Sequence, residues 1–468
     1  MHPLAKLDHA HVWHPFTQMR DWLAREPIVI VEGEGATLRD VHGREFLDAN
    51  SSIWTNLHGH NHPKINAAIQ RQLKKIAHSS ALGLANEPAS LLAEKLVTAA
   101  NPRAARRAPS LNKVFFSDDG STALEVAVKL AYEFTRRKRG PNAKPRFLAL
   151  EGAYHGDTVG AVSLGHIDLF HKSYAGLLFK TDEVMSPFCY RCPFNRAKPE
   201  RADAREYRRC NWECVGVIEG KFSAQKKKKK PYAAFVVEPL IQGAAGMIPQ
   251  PDRWLRRVSE IARGHGALLI ADEVMTGFGR TGEIFACQSE NVQPDFLCLA
   301  KGLTGGYLPM AATLTTQNVF DAFLGEYHEF KTFFHGHSYT GNQLGAAAAL
   351  ASLEILQSKK SACARAQLEA NLRDGLKSLW QLPNVGDIRQ VGLVAGVELV
   401  KDWRTRRPFD FRERAGIRVC DAMARRGVLT RPVGNVIVLM PPYCTTPQQA
   451  GRMVGALRKA VADIFPSK

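Results

Sequence analysis

A chain of 468 residues, 45% of them apolar, is long enough to bury a large core and to divide into more than one domain. No apolar run approaches the ~20 residues that span a bilayer, and the opening MHPLAKLDHAHVWHPF lacks the apolar stretch and small-residue cleavage site of a secretory leader; no membrane partner and a cytoplasmic location are expected. The net charge of +18 raises nucleic-acid binding, but RRKR at 136–139 and KKKKK at 226–230 have no interleaved aromatics to stack bases, so no nucleic-acid partner is expected.

Along the chain, IVIVEGEGATLRDVHGREFLD reads as a hairpin. The first ~60 residues show no helix of their own for it to pack on, which assigns them to the C-terminal end of the chain. KVFF (113–116) is a short apolar run, followed by SDDGS and by a helix-like stretch with Leu124, Val128 and Ala131 on one face. RFLAL (146–150), AAFVVEP (233–239), ALLIADEV (267–274), DFLCLAK (295–301) and MAATLTT (310–316) are further apolar runs, several separated by helix-like segments. Continuous apolar strands among helices predict an α/β fold with a mostly parallel sheet covered on both faces. From Asn342 a long Ala/Leu helix, a charged helix, short strands and a closing helix form a compact α+β segment. The expected division is 1–65 as the N-terminal part of a smaller domain, 66–344 as the large domain with a Cys/Lys-rich insertion at about 188–231, and 345–468 as the rest of the smaller domain.

Four features carry chemistry. SDDGST (117–122) joins a strand to a helix, where small residues let N–H groups approach a phosphate; a plain capped turn also fits. Tyr154, in AYHGDT after a strand, can stack on a planar ring, with Gly156 leaving room, although a polar loop also fits. Asp272 ends an apolar strand, the edge where ligands sit in open α/β sheets. A buried carboxylate there needs a positive partner, such as a protonated ring nitrogen or Arg280. Lys301 ends another apolar run, where an amine shifts its pKa down or reacts as a Schiff-base former, unless it snorkels to the sheet edge. A phosphate, a planar ring, a protonated nitrogen and an aldehyde held by lysine together describe pyridoxal phosphate.

LLIADEVMTGFGRTG followed by PDFLCLAKGLTGGYLP resembles the signature of the class III, or ω-, aminotransferases of pyridoxal-phosphate fold type I, and the resemblance runs over nearly the whole chain. HVWHPFTQM (11–19), SSIWTNLHGHNHP (51–63) and TRPVGNVIVLMPPY (430–443) are similar to the branch that converts 8-amino-7-oxononanoate to 7,8-diaminononanoate in biotin biosynthesis. The resemblance implies that Gly120 and Ser121 bind the cofactor phosphate, Tyr154 stacks on the ring, Asp272 pairs with its nitrogen, and Lys301 forms the Schiff base and moves the proton. It also implies that Asp157 and Glu238 support the site, and that Trp54 and Arg431 line the substrate pocket, with Arg431 taking the substrate carboxylate. FHGHSYTGN matches a segment that crosses between subunits of a homodimer with its active site at the interface, which sends Gly336, His337 and Ser338 toward phosphate and substrate. Threonine is usual at position 338, and serine keeps the hydroxyl. Members using S-adenosylmethionine typically carry tyrosine where this chain has Phe16 and tryptophan where it has Ile53; the lysine-using branch looks similar at both, so the donor stays open between the two. Another class III aminotransferase acting on an ω-amino acid or diamine is the alternative.

Two motifs lie outside this chemistry. Nine cysteines, an odd number, indicate reduced thiols rather than a disulfide framework. Yet Cys189, Cys192, Cys210 and Cys214 are spaced Cys-x2-Cys, seventeen residues, Cys-x3-Cys, which resembles a structural zinc site, with four reduced surface thiols as the alternative; the active site itself is expected to hold no metal. His58, His60 and His62 alternate, and a turn near the active site explains them better than a metal.

Overall fold

The structure, a computed structural model, describes residues 1–101 and 110–466. A seven-stranded sheet organises the middle of the chain. Its order is Leu111–Ser117, Ala311–Thr316, Phe296–Leu299, Leu268–Asp272, Ala234–Val237, Phe147–Leu150 and Asp182–Val184. Ala311–Thr316 runs antiparallel to both neighbours, and every other pairing is parallel. Phe147–Leu150, Ala234–Val237 and Phe296–Leu299 are buried at every residue, as strands covered on both faces must be.

The helix Gly120–Arg139 covers one face of this sheet. Asp119 caps it reciprocally with Thr122, and Arg136 to Arg139 lie in the last turn, where cations complement the helix dipole. Leu124, Val128 and Ala131 are buried on its inner side, as the spacing predicts. The Ala-rich helix Gln343–Leu356, capped by Asn342, packs on Pro63–Leu73 and Glu87–Ala100.

A second sheet, Val385–Val391, Val394–Asp402, Val436–Leu439 and Pro432–Val433, packs with the helices Lys359–Leu376, Ala415–Ala424 and Pro447–Ile464. The N-terminal strands Ile30–Glu34, Thr37–Asp40 and Glu45–Asp48 form a meander, and Val428–Leu429 adds to it in parallel with Glu45–Asp48. The absence of helix expected in the first ~60 residues is wrong: Pro3–His11 and Met19–Leu23 are helical. The first is polar, so periodicity does not reveal it, but Pro3 stands in its first turn and the His2 ring accepts from Leu4 N–H.

A buried ion network ties the two sheets together. Arg389 reaches Asp387 (2.9 Å) and Glu398 (2.6 Å), and donates to the carbonyls of Gly246 and Met247 in a loop of the large sheet.

Candidate active site

The parallel strands deliver their C-terminal ends to one edge. Tyr154 and His155 follow Phe147–Leu150, Glu238 follows Ala234–Val237, Asp272 closes Leu268–Asp272, and Lys301 follows Phe296–Leu299. They line a cavity of ≈ 490 Å³ together with Trp54, Gly120, Ser121 and Val274. Its size and place match the crevice at the carboxyl ends of an open α/β sheet.

Gly120 and Ser121 are the first residues of the helix Gly120–Arg139. The first N–H groups of a helix have no intrahelical acceptor and favour an anion. Close packing explains the small residues here. A Cβ on Gly120 would lie 2.6 Å from Val274 Cγ1, and one on Gly156 would lie 2.1 Å from Ser121 Oγ. Gly156 also has φ +117°, which L side chains rarely adopt.

Asp272 is buried, and its Oδ2 lies 2.6 Å from His155 Nδ1. Burial alone would lower the pKa of the His155 ring, but the hydrogen bond and charge of Asp272 carry it above the ordinary histidine value. The alternative of a salt bridge from Asp272 to Arg280 does not hold, since His155 pairs with Asp272. Arg280 donates instead to the carbonyls of Pro441 and Asn56, because its side chain is buried under the C-terminal sheet's PPY segment. Asp119 does cap the helix, so the capped-turn reading of SDDGST holds alongside the cavity lining.

Lys301 opens a short 3-10 turn with φ 40°, a left-handed conformation that costs a non-glycine residue about 1–3 kcal/mol. Its remaining exposure faces the cavity, and its amine lies 5.1 Å from the Trp54 ring. It does not snorkel to the sheet edge. Burial lowers its pKa below the usual lysine value, with Asp272 and Glu238 opposing. Burial pushes Glu238 up to about 7, with Asp272 adding to the rise and His155 opposing it. Glu238 accepts from Gly243 N–H (2.8 Å) and Tyr154 N–H (3.4 Å).

Tyr154 donates its hydroxyl to Asp157 (2.5 Å), and Asp157 N–H donates to Ser121 Oγ (3.2 Å), so ring and helix terminus are linked. Phe16, Ile53, Asp157 and Arg431 do not line the cavity within one chain; Phe16 stands edge-on to the lining Tyr154 at 6.4 Å, and Arg431 Nη2 donates to the Phe16 carbonyl at 3.5 Å. Ile53 is exposed next to buried Trp54. Within one chain Gly336, His337 and Ser338 do not line the cavity, and His337 Nδ1 pairs with Asp118 Oδ2 at 2.7 Å. His58, His60 and His62 bond separately to Ser352, to Asp48 and to the start of the helix Pro63–Leu73.

Sequence reasoning assigned no role to His155 or Val274. Val274 follows two acids and shows no pattern of its own. His155 follows a strand end, which was the available signal.

An amine of lowered pKa, a histidine-backed carboxylate and a helix N-terminus around one cavity fit pyridoxal phosphate. The family model for aminotransferase class III matches residues 20–461, and the chain belongs to that family. It is a pyridoxal-phosphate-dependent aminotransferase of fold type I. It is 48% identical over 457 residues to the adenosylmethionine-8-amino-7-oxononanoate aminotransferase of Geobacter sulfurreducens, covering 98% of this chain and 97% of that one. The solved structure of the enzyme of that name from Methanocaldococcus jannaschii has a TM-score of 0.88 at 40% identity, with 98% of each chain covered. A PLP-bound amine transaminase from an uncultivated Pseudomonas species has a TM-score of 0.87 at 34% identity, covering 97% of this chain and 99% of that one.

Proposed function

We propose that this aminotransferase converts 8-amino-7-oxononanoate to 7,8-diaminononanoate in biotin biosynthesis, with S-adenosylmethionine or L-lysine as amino donor. The full-length 48% identity to a relative named for that keto acid carries the reading. Structural likeness alone also accommodates a broader amine transaminase, at a TM-score of 0.87.

Bound in the cavity, pyridoxal phosphate supplies the carbonyl that carries the amino group and the ring that withdraws electrons from the reacting carbon. Lys301, on the cavity wall, is the residue that would hold that carbonyl. Its lowered pKa leaves the freed Nζ able to take the proton from the donor carbon and, in the second half-reaction, to deliver one to C7 of the keto acid. Asp272, oriented by His155, keeps negative charge against the ring nitrogen. Gly120 and Ser121 would hold the phosphate, and Tyr154, fixed by Asp157, would lie against the ring. Glu238 anchors the Tyr154 backbone beside the ring. Trp54 and Tyr154 exclude water from the reacting carbon. Arg431 takes the substrate carboxylate bidentately, and Phe16 and Ile53 set the space left for the donor.

The same reading makes the enzyme a cytoplasmic homodimer, with Gly336, His337 and Ser338 of one subunit serving the other's site. Among the described residues no helix is long and apolar enough to cross a membrane. It also divides the chain at 1–65, 66–344 and 345–468, supported by the strand that residues 428–429 lend to the N-terminal meander. Incubation with 8-amino-7-oxononanoate and each donor in turn, followed by mass detection of 7,8-diaminononanoate, tests the proposal. Product with neither donor would refute it.

A further inference from the structure

The cysteine motif is not absorbed by the aminotransferase chemistry. All four of its thiols line a single cavity of ≈ 10 Å³, together with Asn195 and Arg208. That space is about one atom wide. Cys189 and Cys214 are buried, and Cys192 and Cys210 are half-buried. Sequence spacing and three-dimensional convergence are independent observations, and they agree.

The surrounding loop is built to present these thiols. Asn195 Nδ2 donates to the Cys189 carbonyl (2.9 Å), and its N–H donates to the Cys192 carbonyl (3.1 Å). Its Oδ1 accepts from Arg209 N–H (3.0 Å), next to Cys210, so one side chain ties the two cysteine pairs together. Cys214 lies in the first turn of the 15-residue helix Glu213–Lys227, where a thiolate is favoured. Arg208 reaches Cys210 Sγ at 3.2 Å and stacks on Trp212, whose ring also takes Arg257. The Arg208 guanidinium therefore stands against the sulfurs, while the Glu213 carboxylate on the same cavity accepts from Asn211 N–H (2.8 Å).

The loop buries few apolar side chains of its own. Its apolar content forms one small cluster, with Cys189, Tyr190 and Ala204 buried and Phe188 and Tyr207 packed against them. Irregular segments longer than about 12–15 residues need some such anchor. Yet the loop straps onto the C-terminal sheet. Arg191 Nε meets Glu398 at 2.8 Å, Arg201 donates to the carbonyls of Val385 and Leu382, and Arg205 donates to the Gln390 carbonyl.

We propose that Cys189, Cys192, Cys210 and Cys214 bind one zinc ion through four thiolates, and that this site fixes the loop that straps the C-terminal sheet to the large domain. Four soft sulfur ligands at these spacings select zinc. Among the described residues no three His, Cys, Asp or Glu side chains already stand at the spacing of an occupied metal site. The sulfurs therefore draw inward across the cavity on binding. Each thiol gives its proton to solvent as its Zn–S bond forms, and no oxidant is involved. The resulting charge of about −2 is offset by Arg208 and the helix N-terminus.

The test is elemental analysis of the pyridoxal-phosphate-loaded enzyme, produced with zinc in the medium and freed of any affinity tag. The expected result is about one zinc per chain surviving gel filtration. Cys192→Ser/Cys210→Ser should lose that zinc and melt earlier, yet keep cofactor absorbance and kcat within about twofold, since these thiols lie outside the active site. Zinc below about a tenth per chain, iron in its place, zinc retained by the double variant, or an intact mass short by the hydrogens of a disulfide would each overturn the proposal. If the double variant does not fold, an organomercurial titration of the wild-type enzyme decides. Zinc released in step with thiol modification supports the site, and thiols modified without zinc release refute it.

Discussion

Replacing Asp272 by Asn isolates the charge at the end of the strand Leu268–Asp272. The amide keeps the shape and can still accept from His155 Nδ1, so the fold and the His155 orientation survive. What is lost is a buried negative charge against the protonated ring nitrogen. A hydrogen bond to a charged group contributes about 1.5–3 kcal/mol, and an ion pair at about 3 Å with an effective dielectric near 20 reaches about 5 kcal/mol. At ~1.4 kcal/mol per decade, kcat should fall by between about tenfold and about 10⁴-fold. Stopped-flow absorbance of the donor half-reaction measures this on enzyme verified to hold its cofactor. A variant that stays loaded and turns over within about twofold of wild type would refute the assignment of Asp272 as the nitrogen's partner.

Four further outcomes follow from the same geometry. Lys301→Ala should abolish turnover, and borohydride should no longer fix the cofactor to the chain, as intact-mass measurement will show. Glu273 is buried, and burial pushes it up to about 7 with Cys287 and Ala286 N–H groups opposing. A carboxyl whose folded pKa lies above its unfolded value binds more protons when folded, so its contribution to stability falls as pH rises from about 4.5 to about 7. The Tm of Glu273→Gln relative to wild type should therefore rise across that window, read by scanning calorimetry of the apoprotein. Arg389→Met leaves Asp387 buried without its cation, while Glu398 keeps Arg191; an uncompensated buried charge costs about 3–5 kcal/mol and should appear as a lower denaturant midpoint. Phe16→Tyr with Ile53→Trp should raise kcat/KM for S-adenosylmethionine relative to L-lysine, and an unchanged ratio would remove both positions from donor choice.

The residues easiest to read in the sequence are those that interrupt a pattern. Asp272 and Lys301 each follow an unbroken apolar strand, and a charge in that place needs a chemical reason. Asp119 and Thr122 announce a helix start locally. Pairings across the fold leave no such trace. His155 and Asp272 are 117 residues apart, and Phe16 and Arg431 are 415 apart, so neither contact is visible in a local window. Arg280, close in sequence to Asp272, was the alternative partner, but the turn after the strand carries it to the carbonyls of Pro441 and Asn56. The helix Pro3–His11 escaped because it buries only Ala5 and so has no apolar stripe to read. The cysteine spacing pointed to a cluster before any coordinates were needed, since four thiols in two short pairs need only one chain reversal to meet.

The central claim is the identity of the amino acceptor, and one spectroscopic experiment tests it. Enzyme loaded with pyridoxal phosphate is first discharged by whichever donor converts it to the pyridoxamine form, then freed of donor and given 8-amino-7-oxononanoate alone. The account predicts that this keto acid restores the original absorbance in a single turnover and leaves as 7,8-diaminononanoate. Discharged enzyme that ignores 8-amino-7-oxononanoate but is restored by a different ω-aldehyde or ketone would contradict it.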